Sequence, residues 1–316
     1  MALPSFVIGT AGGTGAGETN TRGLLAEDVG IDAESRFVDV DGIRLHVVLA
    51  GPEDGDPVVL LHGFPECWYA WHAFVEPLAD AGYRVIVPDQ RGYNASEKPA
   101  DVGAYHVDSL AGDVSGLLDA LGHEDAHLVG HDWGAYVAWW VGLHAPERLR
   151  TLSVLNVPHP TAFRRALMRD PRQLLRSWYV LFFQLPRLPE ALARAGNWRT
   201  LTSLFERSSR PGTFDETDFE RYRTAWAVDG AYTAMVNWYR AIGRSNPRPQ
   251  TRSVRPPTLV CWGANDEFLL ESLASDSVQF CEDGRLVVLD DATHWLHHEC
   301  PERILDELMN QFERDA

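Results

Sequence analysis

The chain reads Gly130-His131-Asp132-Trp133-Gly134-Ala135 directly after the apolar run Ala126-His127-Leu128-Val129. This pattern predicts a buried strand, a tight turn flanked by small residues, and a helix that follows the turn. In such a turn the central side chain is held in a strained backbone conformation and projects above the edge of the sheet. The central residue is Asp132, so the pattern predicts a carboxylate where a nucleophile would stand.

A carboxylate nucleophile narrows the range of substrates. When a carboxylate attacks a saturated carbon it forms an ester, which water can hydrolyse at the ester's own carbonyl. A serine would form an ether, which water does not readily cleave. The favoured substrates therefore carry an electrophilic sp³ carbon, as epoxides and alkyl halides do. The competing interpretation is that Asp132 only caps the helix predicted over Gly134–His144.

The composition excludes several classes of partner. A chain of 316 residues with 45% hydrophobic residues suits one large α/β domain, with or without an inserted lid. Its formal charge of −17 predicts repulsion from nucleic acids and from anionic membranes, so neither is expected as a partner. The four cysteines show neither Cys-x-x-Cys pairing nor zinc-site spacing, which predicts reduced thiols in a cytoplasmic protein and no bound metal.

Apolar runs at intervals predict a mostly parallel sheet. An antiparallel hairpin is expected first, with Phe37–Val40 turning at Asp41-Gly42 into Ile43–Ala50. The later runs are unbroken rather than alternating, which indicates strands buried on both faces by helices. Ligands usually bind at the carboxyl edge of such a sheet. The six later runs are Val58–Leu61, Val85–Val87, Ala126–Val129, Leu152–Leu155, Leu259–Trp262 and Leu286–Leu289.

Two regions lack these regularly spaced apolar runs. The Gly/Thr-rich start predicts a flexible N-terminal extension over residues 1–34. Residues 158–249 contain no clear strand and predict a helical cap inserted into the core domain, which covers 35–157 and 250–316. A final helix is expected over Pro301–Arg314. The helices predicted in the cap are Pro171–Gln184, Pro189–Ser203, Asp215–Val228 and Tyr232–Ile242.

Three other strand ends carry residues that could complete a catalytic site. The run Val58–Leu61 leads into His62-Gly63-Phe64-Pro65, where the backbone N–H of Phe64 could join that of Trp133 in an oxyanion hole. Asp266 and His294 follow the last two strands, in the order nucleophile, acid, histidine. The main rivals to Asp266 as the acid are Asp290 and Asp291, and Asn156 cannot carry the charge that the role requires.

The chain resembles the α/β-hydrolase-fold epoxide hydrolases from about residue 35 to its C-terminus. The resemblance implies that fold, with a mostly parallel central sheet, helices on both faces and an inserted cap. It also implies that two cap tyrosines, Tyr179 and Tyr239, hydrogen-bond the epoxide oxygen, and that the Phe64–Pro65 bond is cis. The N-terminal extension matches nothing in the family core. The motifs that carry the resemblance are His62–Glu66, Asp89–Tyr93, Gly130–Gly134, Gly263–Asp266, Thr293–Trp295 and the cap segments Tyr179–Pro186 and Asn237–Arg240.

The expected reaction is hydrolysis of an epoxide to a vicinal diol through a covalent Asp132 ester, with no cofactor. Asp266 would orient His294, which would activate the water. A phenol with a pKa near 10 stays protonated at neutral pH and can donate to the developing alkoxide. The substrate is expected to be a small apolar or aromatic epoxide, and association into a homodimer is left open. The predicted substrate-binding residues are Trp133, Phe64, Trp178, Phe183 and Trp238.

Two other functions are compatible with the same residues. A haloalkane or haloacid dehalogenase could use the Asp132 nucleophile with the Trp133 indole N–H near the halide, but it would leave the two cap tyrosines without a task. The fold could also serve a non-catalytic ligand-binding protein, because fold alone does not fix function. Turnover of an epoxide, release of halide, or binding without turnover separates the three.

Overall fold

The computed structural model describes residues 23–242, 244 and 253–315. Its centre is an eight-stranded sheet in the order β1-β2-β4-β3-β5-β6-β7-β8. β1 pairs antiparallel with β2, β2 pairs antiparallel with β4, and the neighbours from β4 to β8 are parallel. The strands are β1 Glu34–Val40, β2 Ile43–Ala50, β3 Asp56–Leu61, β4 Tyr83–Pro88, β5 Ala126–His131, β6 Leu149–Leu155, β7 Thr258–Gly263 and β8 Gly284–Leu289.

Helices cover both faces of this sheet. On one side α1 packs against α13, and on the other α2 packs against α3. The helices are α1 His72–Asp80, α2 Val107–Leu121, α3 Trp133–His144, α4 Pro160–Arg169, α5 Pro171–Arg176, α6 Trp178–Phe182, α7 Leu188–Arg194, α8 Arg199–Ser208, α9 Glu216–Trp226, α10 Ala231–Ile242, α11 Ser272–Val278, α12 Leu296–Glu299 and α13 Pro301–Phe312.

The predicted fold class is confirmed. Each of the six apolar runs lies within an observed strand, and the predicted hairpin is β1–β2. Val58 and Leu128 are buried, as strands covered on both faces require. Across the described residues, no helix combines the length and the apolar character needed to cross a bilayer.

The cap helices differ in detail from the prediction. The helix predicted over Pro189–Ser203 is two helices, α7 and α8, because the chain between them turns through positive φ at Gly196, Asn197 and Trp198. The helix predicted over Pro171–Gln184 is likewise divided into α5 and α6. In the described part of the chain, α4–α10 all lie between β6 and β7.

Part of the predicted N-terminal extension packs on the core. Residues 1–22 lie outside the described residues, so their predicted flexibility stays a prediction. Leu24 is buried, and its N–H donates to the Asn94 side chain at 2.7 Å. Its carbonyl accepts the indole N–H of Trp68 at 2.8 Å. Residues 23–33 therefore approach the sheet before β1 begins.

Candidate active site

Asp132 stands at the turn between β5 and α3. Its backbone has φ 47° and ψ −121°, a conformation that costs energy for any residue other than glycine. Glycine is required at Gly130, since a Cβ there would lie 2.5 Å from the Gly134 carbonyl carbon. Asp132 occupies the N-cap position of α3, but its side chain makes no capping hydrogen bond. The capping interpretation therefore does not account for this carboxylate.

The loop after β3 approaches the Asp132 side chain closely. The backbone N–H of Phe64 donates to Asp132 Oδ1 at 2.7 Å. Gly63 allows this approach, because a Cβ on it would lie 2.4 Å from the Cβ of Asp132. The Phe64–Pro65 bond is cis. Trp133 opens α3, so its N–H has no carbonyl one turn earlier in the helix to bond to.

His294 and Asp266 form a buried pair beside Asp132. His294 Nδ1 lies 2.7 Å from Asp266 Oδ2, and His294 Nε2 lies 3.6 Å from Asp132 Oδ2. The other Asp266 oxygen accepts the N–H groups of Phe268 at 2.7 Å and Leu269 at 2.9 Å. The structure thus brings together the three residues that the chain order predicted.

The rival carboxylates lie elsewhere. Asp290 and Asp291 are both exposed, and Asp291 pairs with Arg210 at 3.4 Å. Asn156 instead supports Asp266. Its side-chain amide donates to Asp266 Oδ2 at 2.8 Å, while its oxygen accepts the N–H of Gly263 at 2.6 Å. The Asn156 amide therefore donates a hydrogen bond to the Asp266 carboxylate, which an ionised carboxylate at position 156 could not do.

Asp132 and His294 stabilise each other's charged forms. Burial alone would raise the pKa of Asp132, but the hydrogen bond and charge of His294, with smaller effects of His131 and the Phe64 N–H, hold that pKa below its usual value. Burial opposes the charging of His294, yet Asp266 and Asp132 together raise its pKa to about 10. At neutral pH the site therefore holds an anionic Asp132 next to an imidazolium.

Two cap helices place tyrosines near Asp132, beside Phe64 and Trp133. The Tyr239 ring on α10 packs edge-on against the rings of Phe64 and Trp133, each with centroids 5.1 Å apart. The Tyr179 ring on α6 lies 6.0 Å from that of Tyr239. Burial raises the pKa of both phenols well above its usual value, and the Asp132 charge raises it further. Both phenols are therefore protonated at neutral pH.

The predicted substrate-binding residues fall into three positions. Phe64, Trp133 and Phe183 surround Tyr239, with the Phe183 ring 4.6 Å from it. Trp238 lies one layer behind, fully buried, where its indole N–H donates to the Arg91 carbonyl at 3.0 Å. Trp178 is 63% exposed on the outer side of the cap. The structure therefore brings only the first group to the tyrosines.

Glu66 and His131 form a buried network that the sequence reasoning missed as a functional element. His131 Nδ1 lies 3.1 Å from Glu66 Oε2, and His131 Nε2 donates to the His294 carbonyl at 2.9 Å. Glu66 also contacts His298 Nε2 at 2.7 Å and accepts the Tyr222 hydroxyl of the cap at 3.0 Å. The available signal was the adjacency of Glu66 to the Phe64 loop and of His131 to Asp132.

Glu66 is the centre of this network, which also contains three side chains of metal-ligating types. Burial alone would raise the pKa of Glu66, yet the surrounding imidazoles hold it well below its usual range. One ligand atom each from Glu66, His131 and His297 lie within 4.8 Å of one another. Glu66 thus ties the Phe64 loop, the Asp132 turn, the His294 loop and the cap into one unit.

Comparison with known proteins shows which family the sequence matches. Residues 56–301 match the α/β-hydrolase fold family. The chain is 44% identical over 280 residues to the AB hydrolase superfamily protein YfhM of Bacillus subtilis (strain 168), covering 87% of this chain and 98% of that protein. It is 33% identical over 313 residues to epoxide hydrolase A of Mycobacterium tuberculosis (strain ATCC 25618 / H37Rv), covering 87% and 95%.

A solved structure shows the same likeness. The crystal structure of Bacillus megaterium epoxide hydrolase in complex with an inhibitor superposes with a TM-score of 0.81 at 26% identity. The superposition covers 88% of this chain and all of the other.

Proposed function

The chain belongs to the α/β-hydrolase-fold epoxide hydrolases, and we propose that it converts an epoxide into a vicinal diol through a covalent ester on Asp132. The observation that carries this proposal is the position of one carboxylate. Asp132 is 2.7 Å from the Phe64 N–H, 3.6 Å from His294 and beneath two protonated phenols. Such a group can attack carbon and afterwards be regenerated.

In the first step Asp132 attacks an epoxide carbon and the C–O bond of the ring opens. The electron pair of that bond goes to the epoxide oxygen, which becomes an alkoxide unless a donor protonates it. Tyr179 and Tyr239 supply hydroxyl donors on the cap side, opposite Asp132. Their raised pKa values keep them protonated until the oxygen becomes basic. The product of this step is a hydroxyalkyl ester of Asp132.

Formation of the ester changes the protonation of His294. The charge of Asp132 is one of the groups that raise the pKa of His294 to about 10. Esterification removes that charge, so the pKa of His294 falls and the ring can release its proton. The proton passes to the cap tyrosine that protonated the alkoxide, which restores its hydroxyl. Neutral His294, oriented by Asp266, then takes a proton from water as the water attacks the ester carbonyl.

The oxyanion of this second step forms on an Asp132 oxygen. The Phe64 N–H already donates to Oδ1 at 2.7 Å, and the Trp133 N–H lies at the positive end of α3. Two such donors stabilise the tetrahedral intermediate. Its collapse releases the diol and restores the carboxylate. The aromatic rings of Phe64, Trp133 and Phe183 around Tyr239 support a small apolar or aromatic substrate.

The experiment that tests the proposal traps the ester. In His294→Gln the first step should proceed while the second is slowed about a thousandfold or more. Mass spectrometry after mixing with styrene oxide should show an adduct of one substrate mass on the peptide that contains Asp132. Asp132→Asn should show no adduct. An adduct on another residue, or diol formation by His294→Gln at the wild-type rate, would contradict the proposal.

A further inference from the structure

The outer side of the cap exposes large apolar side chains. Leu175 is 74% exposed and Leu181 is 73% exposed, although both sit in helices. Exposed apolar residues usually occur singly, whereas residues 174–192 carry seven of them, and such a concentration of exposed apolar side chains indicates a binding surface. We call this set the cap apolar face, and its members are Leu174, Leu175, Trp178, Leu181, Leu185, Leu188 and Leu192.

A polar side chain of α5 and the serine that follows this helix point inward. Gln173 and Ser177 are buried, and Gln173 donates to the Phe268 carbonyl at 2.9 Å and accepts the Leu270 N–H at 3.0 Å. The N–H of Ser177 bonds to the Gln173 carbonyl, which carries the helical path from α5 towards α6. In α5 the usual amphipathic arrangement is thus reversed, since Leu174 and Leu175 are exposed. Because these hydrogen bonds of Gln173 fix the orientation of α5, Leu174 and Leu175 stay on the outer surface.

The cap also carries a charge opposite to that of the whole chain. Residues 160–210 contain ten arginines and three acidic residues, a formal charge of +7, which leaves −24 for the rest. Eight of these arginines are exposed: Arg164, Arg165, Arg169, Arg172, Arg187, Arg194, Arg199 and Arg207. Of the three carboxylates, Asp170 pairs with Arg172 and Glu190 pairs with Arg240.

We propose that the cap apolar face binds the surface of an anionic lipid bilayer. Arginines beside leucines and a tryptophan are the composition of segments that lie in a membrane interface, with the apolar side chains among the acyl chains and the cations at the headgroups. The net charge of −17 predicts repulsion from an anionic bilayer only if that charge is spread evenly over the protein surface. The uneven charge orients the cap towards an anionic surface and the body away from it.

A second copy of the chain fits this face less well. A symmetric dimer through the cap apolar face would bring Arg172, Arg187 and Arg194 against a surface that carries the same arginines. Like charges at an interface are costly, whereas anionic headgroups neutralise them. The helix concerned, α6, also carries Tyr179 next to Trp178. A docked bilayer would therefore lie directly over the cap side of the active site.

Vesicle binding by the full chain tests the proposal without any reliance on catalysis. Flotation should recover wild-type protein with vesicles of phosphatidylglycerol and phosphatidylcholine, and much less with pure phosphatidylcholine. Leu175→Gln/Leu181→Gln should lower the partition coefficient at least about tenfold, because two apolar anchors are lost. Arg169→Gln/Arg194→Gln should lower it roughly fivefold per arginine for anionic vesicles only.

The matched control is Phe37→Gln, which removes an exposed apolar side chain from β1 on the acidic body and should leave the partition coefficient unchanged. Thermal unfolding followed by circular dichroism checks that each variant is folded. Absence of binding to anionic vesicles, or equal binding by the double leucine variant, would overturn the proposal. So would a dimer that Leu175→Gln/Leu181→Gln abolishes in a protein that ignores vesicles.

Discussion

Asp132 and Tyr179 approach the same space from two regions that hold their side chains differently. On the core side the backbone fixes the group: Asp132 has positive φ, and the Phe64 N–H bonds its oxygen at 2.7 Å. On the cap side Tyr179 comes from α6, a helix of five residues, and is placed by ring packing against Tyr239 and Phe268. The core group is therefore rigidly presented, while the cap group depends on how the cap packs.

The largest expected effect lies on the core side. Asp132→Asn removes the nucleophile and should lower kcat for styrene oxide by about 10⁴-fold or more, because a neutral amide is a poor nucleophile towards the epoxide carbon. Thermal unfolding should show a folded protein, since asparagine tolerates positive φ. Asp170→Asn is the matched control and should keep wild-type kcat. Substantial diol formation by Asp132→Asn would show that Asp132 is not the nucleophile.

The second prediction concerns the cap side. Tyr179→Phe and Tyr239→Phe should each lower kcat by about 10- to 100-fold, and the double variant by about 10³-fold, because the alkoxide then lacks its donors. Tyr232→Phe removes the hydroxyl of another buried cap tyrosine and should change kcat little. If the double variant keeps full activity, the cap does not supply the acid.

The third prediction addresses the link between the two regions. Glu66→Gln should lower the free energy of unfolding by about 3 kcal/mol, because it leaves His131 and His298 without their buried anionic partner. Urea unfolding measures this change, and Glu53→Gln on the surface is the control. A loss below about 1 kcal/mol would show that Glu66 does not hold core and cap together.

The smallest effect is a change in pH dependence. The pKa of His294 is raised from 6.5 to about 10, so its contribution to stability is complete below pH 6.5 and is lost as the pH rises through 10. Asp132→Asn removes one cause of the raised pKa. Nuclear magnetic resonance titration should find a lower pKa for His294 in that variant, and urea unfolding should show a smaller loss of stability towards pH 10. An unchanged pKa would mean that Asp132 and His294 are not coupled.

The two regions also differ in how far the sequence predicts them. In the core, position in the chain suffices, because parallel strands end at one edge and bring Asp132, Asp266 and His294 to the same place. The network of Glu66 was missed because it depends on which way buried imidazoles face. A composition pattern contains no information on that direction.

In the cap, helical spacing did not show which face turns inward. Trp178 and Tyr179 are adjacent, yet the tryptophan is 63% exposed, while the tyrosine hydroxyl is buried near enough to Asp132 for that charge to raise its pKa. The buried polar Gln173 reverses the usual rule that apolar residues face the protein. The break between α7 and α8 was missed because the left-handed turn includes Asn197 and Trp198 as well as a glycine.

The most direct test of the central claim is a single turnover in water enriched in ¹⁸O. Enzyme in excess over styrene oxide is allowed one turnover, and the peptide that contains Asp132 and the diol are both weighed. If the ester forms and water attacks its carbonyl, the peptide gains one heavy oxygen and the first diol contains none. Heavy oxygen in the diol together with an unlabelled Asp132 would show that water attacks the epoxide directly, and the account would be wrong.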